Sequence, residues 1–231
     1  MFYITGDTHG DFARVFQFVK SNPDITLEDT MIVLGDAGLN YFGNYGDALK
    51  KEPLSKRPLT VFSIHGNHEM RPESVGTYRE IPWRGGIVYQ EEQYPNLLFA
   101  KDGELYNFDG KRVFVIGGAY SVDKYHRLAR GLHWFEDEQP TAATKRHIEM
   151  RLDAIGWQVD IVLSHTCPYQ YRPTEVFLTG LDQSTVDSST EEWLEQLEAR
   201  LNYKQWYCGH FHTDKTVDKL RFFFRDIAEL K

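Results

Sequence analysis

Five apolar runs in this chain each stop at a cluster of glycine and polar residues, and this repetition constrains the fold more than any other feature. The runs end at GDTHG (6–10), GD (35–36), GNHE (66–69), SH (164–165) and GHFH (209–212). Short apolar runs bounded by turn residues read as buried strands. After the first cluster, DFARVFQFVKSN spaces Phe12, Val15, Phe16 and Val19 as one helix face. Strand, polar loop, helix, strand is the pattern of parallel α/β units. In such sheets ligands bind beyond the carboxyl ends of the strands, so the five clusters are expected to converge on one site.

The middle of the chain changes character. GGIVYQ, NLLFA, ELYNF and KRVFVIGGAYS are short strand-like runs, and the Asp-Gly of FDGKR marks a hairpin. They predict an antiparallel stretch feeding a second sheet. Residues 120–140 are rich in His, Arg and aromatic side chains and show no clean period. Helices are expected from Thr141 to Ile155 and over residues 182–202, the latter through Trp193, Leu197 and Leu201. LRFFFRDI reads as a closing strand. No repeat or linker interrupts the 231 residues, and 41% of them are hydrophobic, which predicts one domain over 1–231 with a sizeable core.

The opening MFYIT lacks the basic start and apolar run of a secretory signal. No stretch approaches the roughly 18 apolar residues of a membrane span. The two cysteines, Cys167 and Cys208, do not make a disulfide framework, so a reducing, cytoplasmic setting is expected. A formal charge of −8 argues against an extended nucleic-acid duplex as partner.

The strand-end clusters supply Asp7, His9, Asp36, Asn67, His68, His165, His210 and His212. Any one of these histidines alone reads as a hydrogen-bonded surface residue. Their coincidence with five strand ends points instead to a site. Mixed carboxylate and imidazole donors suit divalent transition metals such as Mn, Fe, Zn or Co. Asp-x-His and His-x-His spacings turn alternate side chains to one side of an extended segment.

The ordered series GDTHG, GD, GNHE, SH and GHFH resembles the motif series of the calcineurin-like metallophosphoesterases, from Gly6 to His212. The resemblance implies an α/β fold of four layers, a β-sandwich of two mixed sheets flanked by helices. It implies two divalent metal ions: Asp7, His9 and His212 would hold one, Asn67, His165 and His210 the other, and Asp36 would bridge them. His68 would be the catalytic imidazole. The implied activity is hydrolysis of a phosphomonoester or phosphodiester by a hydroxide generated between the metals. Glu69 is expected to orient its neighbours by hydrogen bonds, His65 to pack inward, and Cys167 to behave as a small hydrophobe.

Departures from the family pattern narrow the substrate. Protein Ser/Thr phosphatases of this superfamily extend the second motif to Gly-Asp-x-x-Asp-Arg-Gly and place Arg before Gly-Asn-His-Glu. Here Leu39 and Asn40 occupy the Asp and Arg positions, and His65 precedes GNHE. A phosphate-ester small molecule or nucleotide is therefore the expected substrate. A phosphoprotein phosphatase or nuclease with the same metal centre, or a non-catalytic scaffold, are the alternatives. Substrate-binding groups are expected in residues 117–140, where Tyr120, His126, Arg127 and Arg130 combine aromatic surface with cations; YRPTEVF is a candidate cleft wall.

Overall fold

The computed structural model describes residues 1–177, 179–180 and 182–231. One sheet draws on β1 (Phe2–Thr5), β2 (Thr30–Val33), β3 (Thr60–Ser63), β4 (Tyr78–Trp83), β5 (Gly86–Glu91) and β6 (Leu97–Ala100). A second draws on β7 (Leu105–Phe108), β8 (Lys111–Ile116), β9 (Ile161–Ser164), β10 (Gln205–Cys208), β11 (Lys215–Val217) and β12 (Leu220–Phe222). The last strand, β13 (Ile227–Glu229), returns to the first sheet and pairs antiparallel with β1. Strand order is β13-β1-β2-β3-β6-β5-β4 in the first sheet and β11-β12-β10-β9-β8-β7 in the second. β1, β2, β3 and β6 are parallel neighbours, as are β8, β9, β10 and β12; the outer strands run antiparallel.

The inner faces meet through Ile4, Ile32, Phe62 and Val88 of the first sheet against Phe108, Val115, Leu163 and Tyr207 of the second. Five helices are described: α1 (Ala13–Ser21), α2 (Ala48–Ser55), α3 (Lys124–Arg130), α4 (Ala142–Ala154) and α5 (Ser189–Glu198). Val15 of α1 and Leu54 of α2 cover Met31, Val33, Val61 and Phe99 on the outer face of the first sheet. Ile148 and Leu152 of α4, with Trp193 and Leu197 of α5, cover Phe114, Val162 and Trp206 on the outer face of the second. The layers are helix, sheet, sheet, helix, as the motif series implies. Strands buried on both faces read as continuous apolar runs rather than alternating ones, which is why β2, β3 and β9 stand out in the sequence.

Several local expectations are corrected. The helix expected over 141–155 is α4, with Thr141 as its N-cap accepting from the Thr144 amide at 3.1 Å. The helix expected over 182–202 is shorter. Residues 183–185 form a separate turn, and α5 ends at Glu198 although Leu201 still packs in the same core. The aperiodic 120–140 stretch contains α3, which buries no residue and so carries no apolar stripe. LRFFFRDI is not one strand. The Asp214 carboxylate accepts from the amides of Phe224, Arg225 and Asp226, turning the chain between β12 and β13 in different sheets. GGIVYQ and NLLFA stay in the first sheet as β5 and β6; only β7 and β8 join the second, through a hairpin with Asp109 and Gly110 at φ 51° and 86°.

Candidate metal centre

Because β1, β2 and β3 are parallel neighbours, their following loops leave one edge of the first sheet together. β9 and β10 do the same in the second sheet. Face-to-face packing of the sheets brings the two edges into contact. Asp7, His9, Asp36 and Asn67 come from the first sheet; His165, His210 and His212 come from the second. Two glycines set how closely they approach. A Cβ on Gly66 would lie 2.0 Å from Asp36 Oδ1, and one on Gly209 would lie 2.3 Å from Asp7 Oδ1. His9, Asp36, His210 and His212 all have left-handed backbone, with φ of 47°, 47°, 67° and 51°. Such conformations in non-glycine residues cost about 1 kcal/mol or more each and concentrate at functional sites.

The side chains converge with little between them. His212 Nε2 lies 3.3 Å and His9 Nε2 3.9 Å from Asp7 Oδ2, and the two imidazole nitrogens are 3.0 Å apart. Asn67 Oδ1 lies 2.8 Å from His165 Nε2 and 3.0 Å from His210 Nδ1. Asp36 Oδ2 stands between the groups, 3.9 Å from His9 Nδ1 and 3.6 Å from His165 Nε2. Donor atoms of Asp7, His9 and His212 fall within 4.8 Å of one another, as do those of Asp7, Asp36 and His165. His68 brings a ring nitrogen within the same reach of His9 and Asp36.

The surrounding bonds aim these donors inward. His165 Nδ1 donates to the Leu34 carbonyl at 2.7 Å, which turns Nε2 toward Asn67 and Asp36. The Asn67 amide Nδ2 donates to Ser121 Oγ at 2.9 Å, so its oxygen faces the cluster. Glu69, fully buried, accepts from the amides of Ala37 and Gly38 at 3.0 Å and of Leu39 at 3.2 Å, fixing the turn that carries Asp36. His65 is buried, and burial with the nearby Arg71 holds its pKa well below the usual histidine range. Cys167 is buried in the outer core and its thiol is pushed up by burial.

The electrostatics call for positive charge. Asp7 and Asp36 are buried, and Asp7 Oδ2 has no hydrogen-bond partner. Burial raises the Asp36 carboxyl, yet the adjacent His165 outweighs it and holds the group well below the usual range. Conversely, burial lowers His165 while Asp36 and Asp7 push it up to about 9. Two ionised carboxylates, an orphaned carboxylate oxygen and converging imidazole nitrogens fit a divalent transition metal, whose binding would release the His165 Nε2 proton.

Residues expected to bind substrate are divided by the structure. Tyr120 lines a cavity of about 420 Å³ that opens from the cluster. Arg127 of α3 donates from Nη2 to His68 Nδ1. His126 and Arg130 are exposed on α3 and lie outside the cavity lining. Asp123 went unnoticed in the sequence. It holds Arg127 Nε at 2.8 Å and lies 3.8 Å from His68 Nε2. Its spacing of four residues before Arg127 was the available signal. YRPTEVF does contribute wall, through Arg172, Val176 and Phe177.

Comparison with known proteins identifies the family. The profile of the calcineurin-like phosphoesterases matches residues 1–214. No curated protein sequence matches the chain significantly. Among solved structures, TT1561 of Thermus thermophilus is similar at 16% identity and TM-score 0.53, over 97% of this chain and 89% of that one. Phosphopantetheinyl hydrolase from Mycobacterium tuberculosis is similar at 15% identity and TM-score 0.49, over 96% of this chain and 86% of that one. The likeness to TT1561 at such identity speaks for the fold alone. With the profile spanning residues 1–214 of 231, the chain belongs to the calcineurin-like phosphoesterase family.

Proposed function

We propose that this chain is a dinuclear metal-dependent phosphoesterase acting on a small-molecule or nucleotide ester. The observation that carries the reading is the double cluster itself. Asp7, His9 and His212 would hold one divalent ion, Asn67, His165 and His210 the other, and Asp36, positioned between the groups, would bridge them. Bound there, such ions supply Lewis acidity toward phosphoryl oxygens and make water acidic enough to act as nucleophile near neutral pH.

The chain's own groups account for the rest. Arginine is always a donor, so the Arg127 contact makes His68 Nδ1 an acceptor and leaves the ring proton on Nε2. His68 then presents an N–H to the departing alcohol oxygen. As the water oxygen bonds to phosphorus and the P–O ester bond breaks, that N–H stabilises the charge on the departing oxygen, and the proton the water gives up ends on that oxygen, which leaves as the alcohol. Arg127, oriented by Asp123, offers its remaining donors to non-bridging oxygens. The guanidinium and carboxylate absent from the second and third motifs are thus replaced from α3. The cavity of about 420 Å³, bordered by Asp123, Asp187 and Glu191, argues for a small substrate over a duplex or an extended phosphopeptide.

Elemental analysis after loading with Mn or Zn tests the centre, with about two ions per chain expected. Asp36→Asn should lower occupancy at both sites, and His212→Ala mainly at one. Consistent binding of one ion or none would overturn the dinuclear reading. Hydrolysis of an aryl phosphomonoester, an aryl phosphodiester and cyclic nucleotides by the loaded protein tests the activity.

A further inference from the structure

We propose that the cavity beside the metal cluster is the subsite for the alcohol portion of the substrate, and that it selects phosphate esters of uncharged, ring-sized, largely apolar alcohols. This rests on the phosphoesterase reading above and narrows its substrate class.

The cavity encloses about 420 Å³, the scale of small-molecule sites and far more than a phosphate alone needs. At one end it is bounded by Asp36, Asn67, His210 and His212. The remaining wall is mostly apolar. Tyr120 and Val122 come from the segment after β8, Val176, Phe177 and Val186 from the segment between β9 and α5, and Phe211 from between the two cluster histidines. Phe177 and Phe211 stack with ring centroids 6.1 Å apart and planes at 16°, giving the wall a flat aromatic section. A ring placed against it removes apolar surface from water on both sides of the contact.

The charges along the same wall reject a second anion. Among the described lining residues, Arg172 is the one Lys or Arg side chain, against the carboxyl groups of Asp123, Asp187 and Glu191. Its guanidinium lies 3.5 Å over the Tyr169 ring, and Nη1 donates to Ser188 Oγ at 2.9 Å. Asp187 stands at the rim, accepting from Gln139 Nε2 and from the Ser189 amide, both at 2.9 Å. Asp123 lines the opposite side, with its charge directed to Arg127. A leaving group bearing a carboxylate or further phosphate meets three carboxyl groups and a single guanidinium. One with hydroxyl or amine donors finds acceptors.

The test uses the metal-loaded chain and three aryl monoesters whose phenols are of similar acidity: phenyl, 1-naphthyl and 4-carboxyphenyl phosphate. We expect kcat/KM for 1-naphthyl phosphate to exceed that for phenyl phosphate about tenfold, mostly through KM, and 4-carboxyphenyl phosphate to fall about tenfold below phenyl; tenfold is about 1.4 kcal/mol. Phe177→Ala should pull the naphthyl-to-phenyl ratio toward one, and Asp187→Asn should raise kcat/KM for the carboxylated ester. Calorimetry with non-hydrolysable 1-naphthylmethylphosphonate and methylphosphonate should show the same preference in Kd. Equal kcat/KM for all three esters, or equal Kd for the two phosphonates, overturns the subsite. Should Phe177→Ala fail to fold, the parent series and Asp187→Asn still decide. Absence of hydrolysis of every ester, with the phosphonate preference intact, would overturn the phosphoesterase reading and leave the cavity as an apolar binding site.

Discussion

The Arg127 guanidinium donates to Nδ1 of His68, and Asp123, one helical turn earlier, grips the same guanidinium at 2.8 Å. A helix seven residues long, with its N-cap residue, thus delivers both an anchored cation and its counter-charge to the motif imidazole.

That relationship predicts a loss without a metal defect. Arg127→Ala should lower kcat by about 10²–10³, the usual cost of removing a donor aimed at developing charge. Metal content should stay at the parent value. Arg127→Lys should recover only part, because a point charge replaces the planar fork. Parent-like kcat in Arg127→Ala, measured at saturating aryl phosphate, would remove Arg127 from the reaction.

His68→Asn separates two roles for the imidazole. A positioned proton donor is typically worth about 10²–10⁴-fold, most where the leaving oxygen is poor. Alkyl or nucleoside esters should therefore suffer more than nitrophenyl esters. Equal losses on both classes, with metals retained, would make His68 a phosphate-orienting group. Loss of a metal would place it in the ligand set, which its proximity to His9 and Asp36 permits.

Glu69→Ala should act at a distance. Three amides lose their acceptor at once, and the turn bearing Asp36 loses its anchor. Destabilisation of roughly 3 kcal/mol is expected from the unsatisfied donors. Metal affinity should fall about 10–100-fold, as for other groups that orient ligands. Urea unfolding of the metal-free protein and metal competition titration measure the two effects separately, and a variant with parent values in both would contradict the assignment.

Glu191→Gln tests a buried carboxyl outside the cluster. Burial pushes Glu191 above its ordinary value of 4.5, against a hydrogen bond from Thr166 Oγ1 at 2.6 Å. The folded state then holds a proton that the unfolded chain has released, so stability falls as pH rises from the unfolded toward the folded pKa. The glutamine variant lacks that loss and keeps an acceptor for Thr166. With chelator present, its Tm should match the parent near about pH 4 and exceed it by a few degrees near about pH 8. A difference independent of pH would show that Glu191 does not titrate in this window.

Parallel α/β units and the convergence of the donor residues were legible because fully buried strands leave unbroken apolar runs and each run stops at its polar loop; the four layers were implied by the family resemblance of the motif series. Expectation failed where tertiary context decides. α3 has no buried face, so periodicity could not reveal it. Leu201 kept the apolar spacing of α5 going after the helix itself had ended. Asp214 turned one aromatic run into two strands through hydrogen bonds to three successive amides. The four-residue spacing of Asp123 and Arg127 marks an ion pair on one helix, but nothing local shows that the pair stands against His68, which is distant in sequence.

The division of the donors between two sheets makes the centre a clasp. Asp7, Asp36 and Asn67 belong to one leaf of the sandwich and His165, His210 and His212 to the other. Any ion that draws them together also pins the leaves, so slippage at the inner faces would open the site before either sheet frays. Core side chains such as Phe108, on a strand that carries none of the donors, therefore help set the gap that an ion held by both leaves would span.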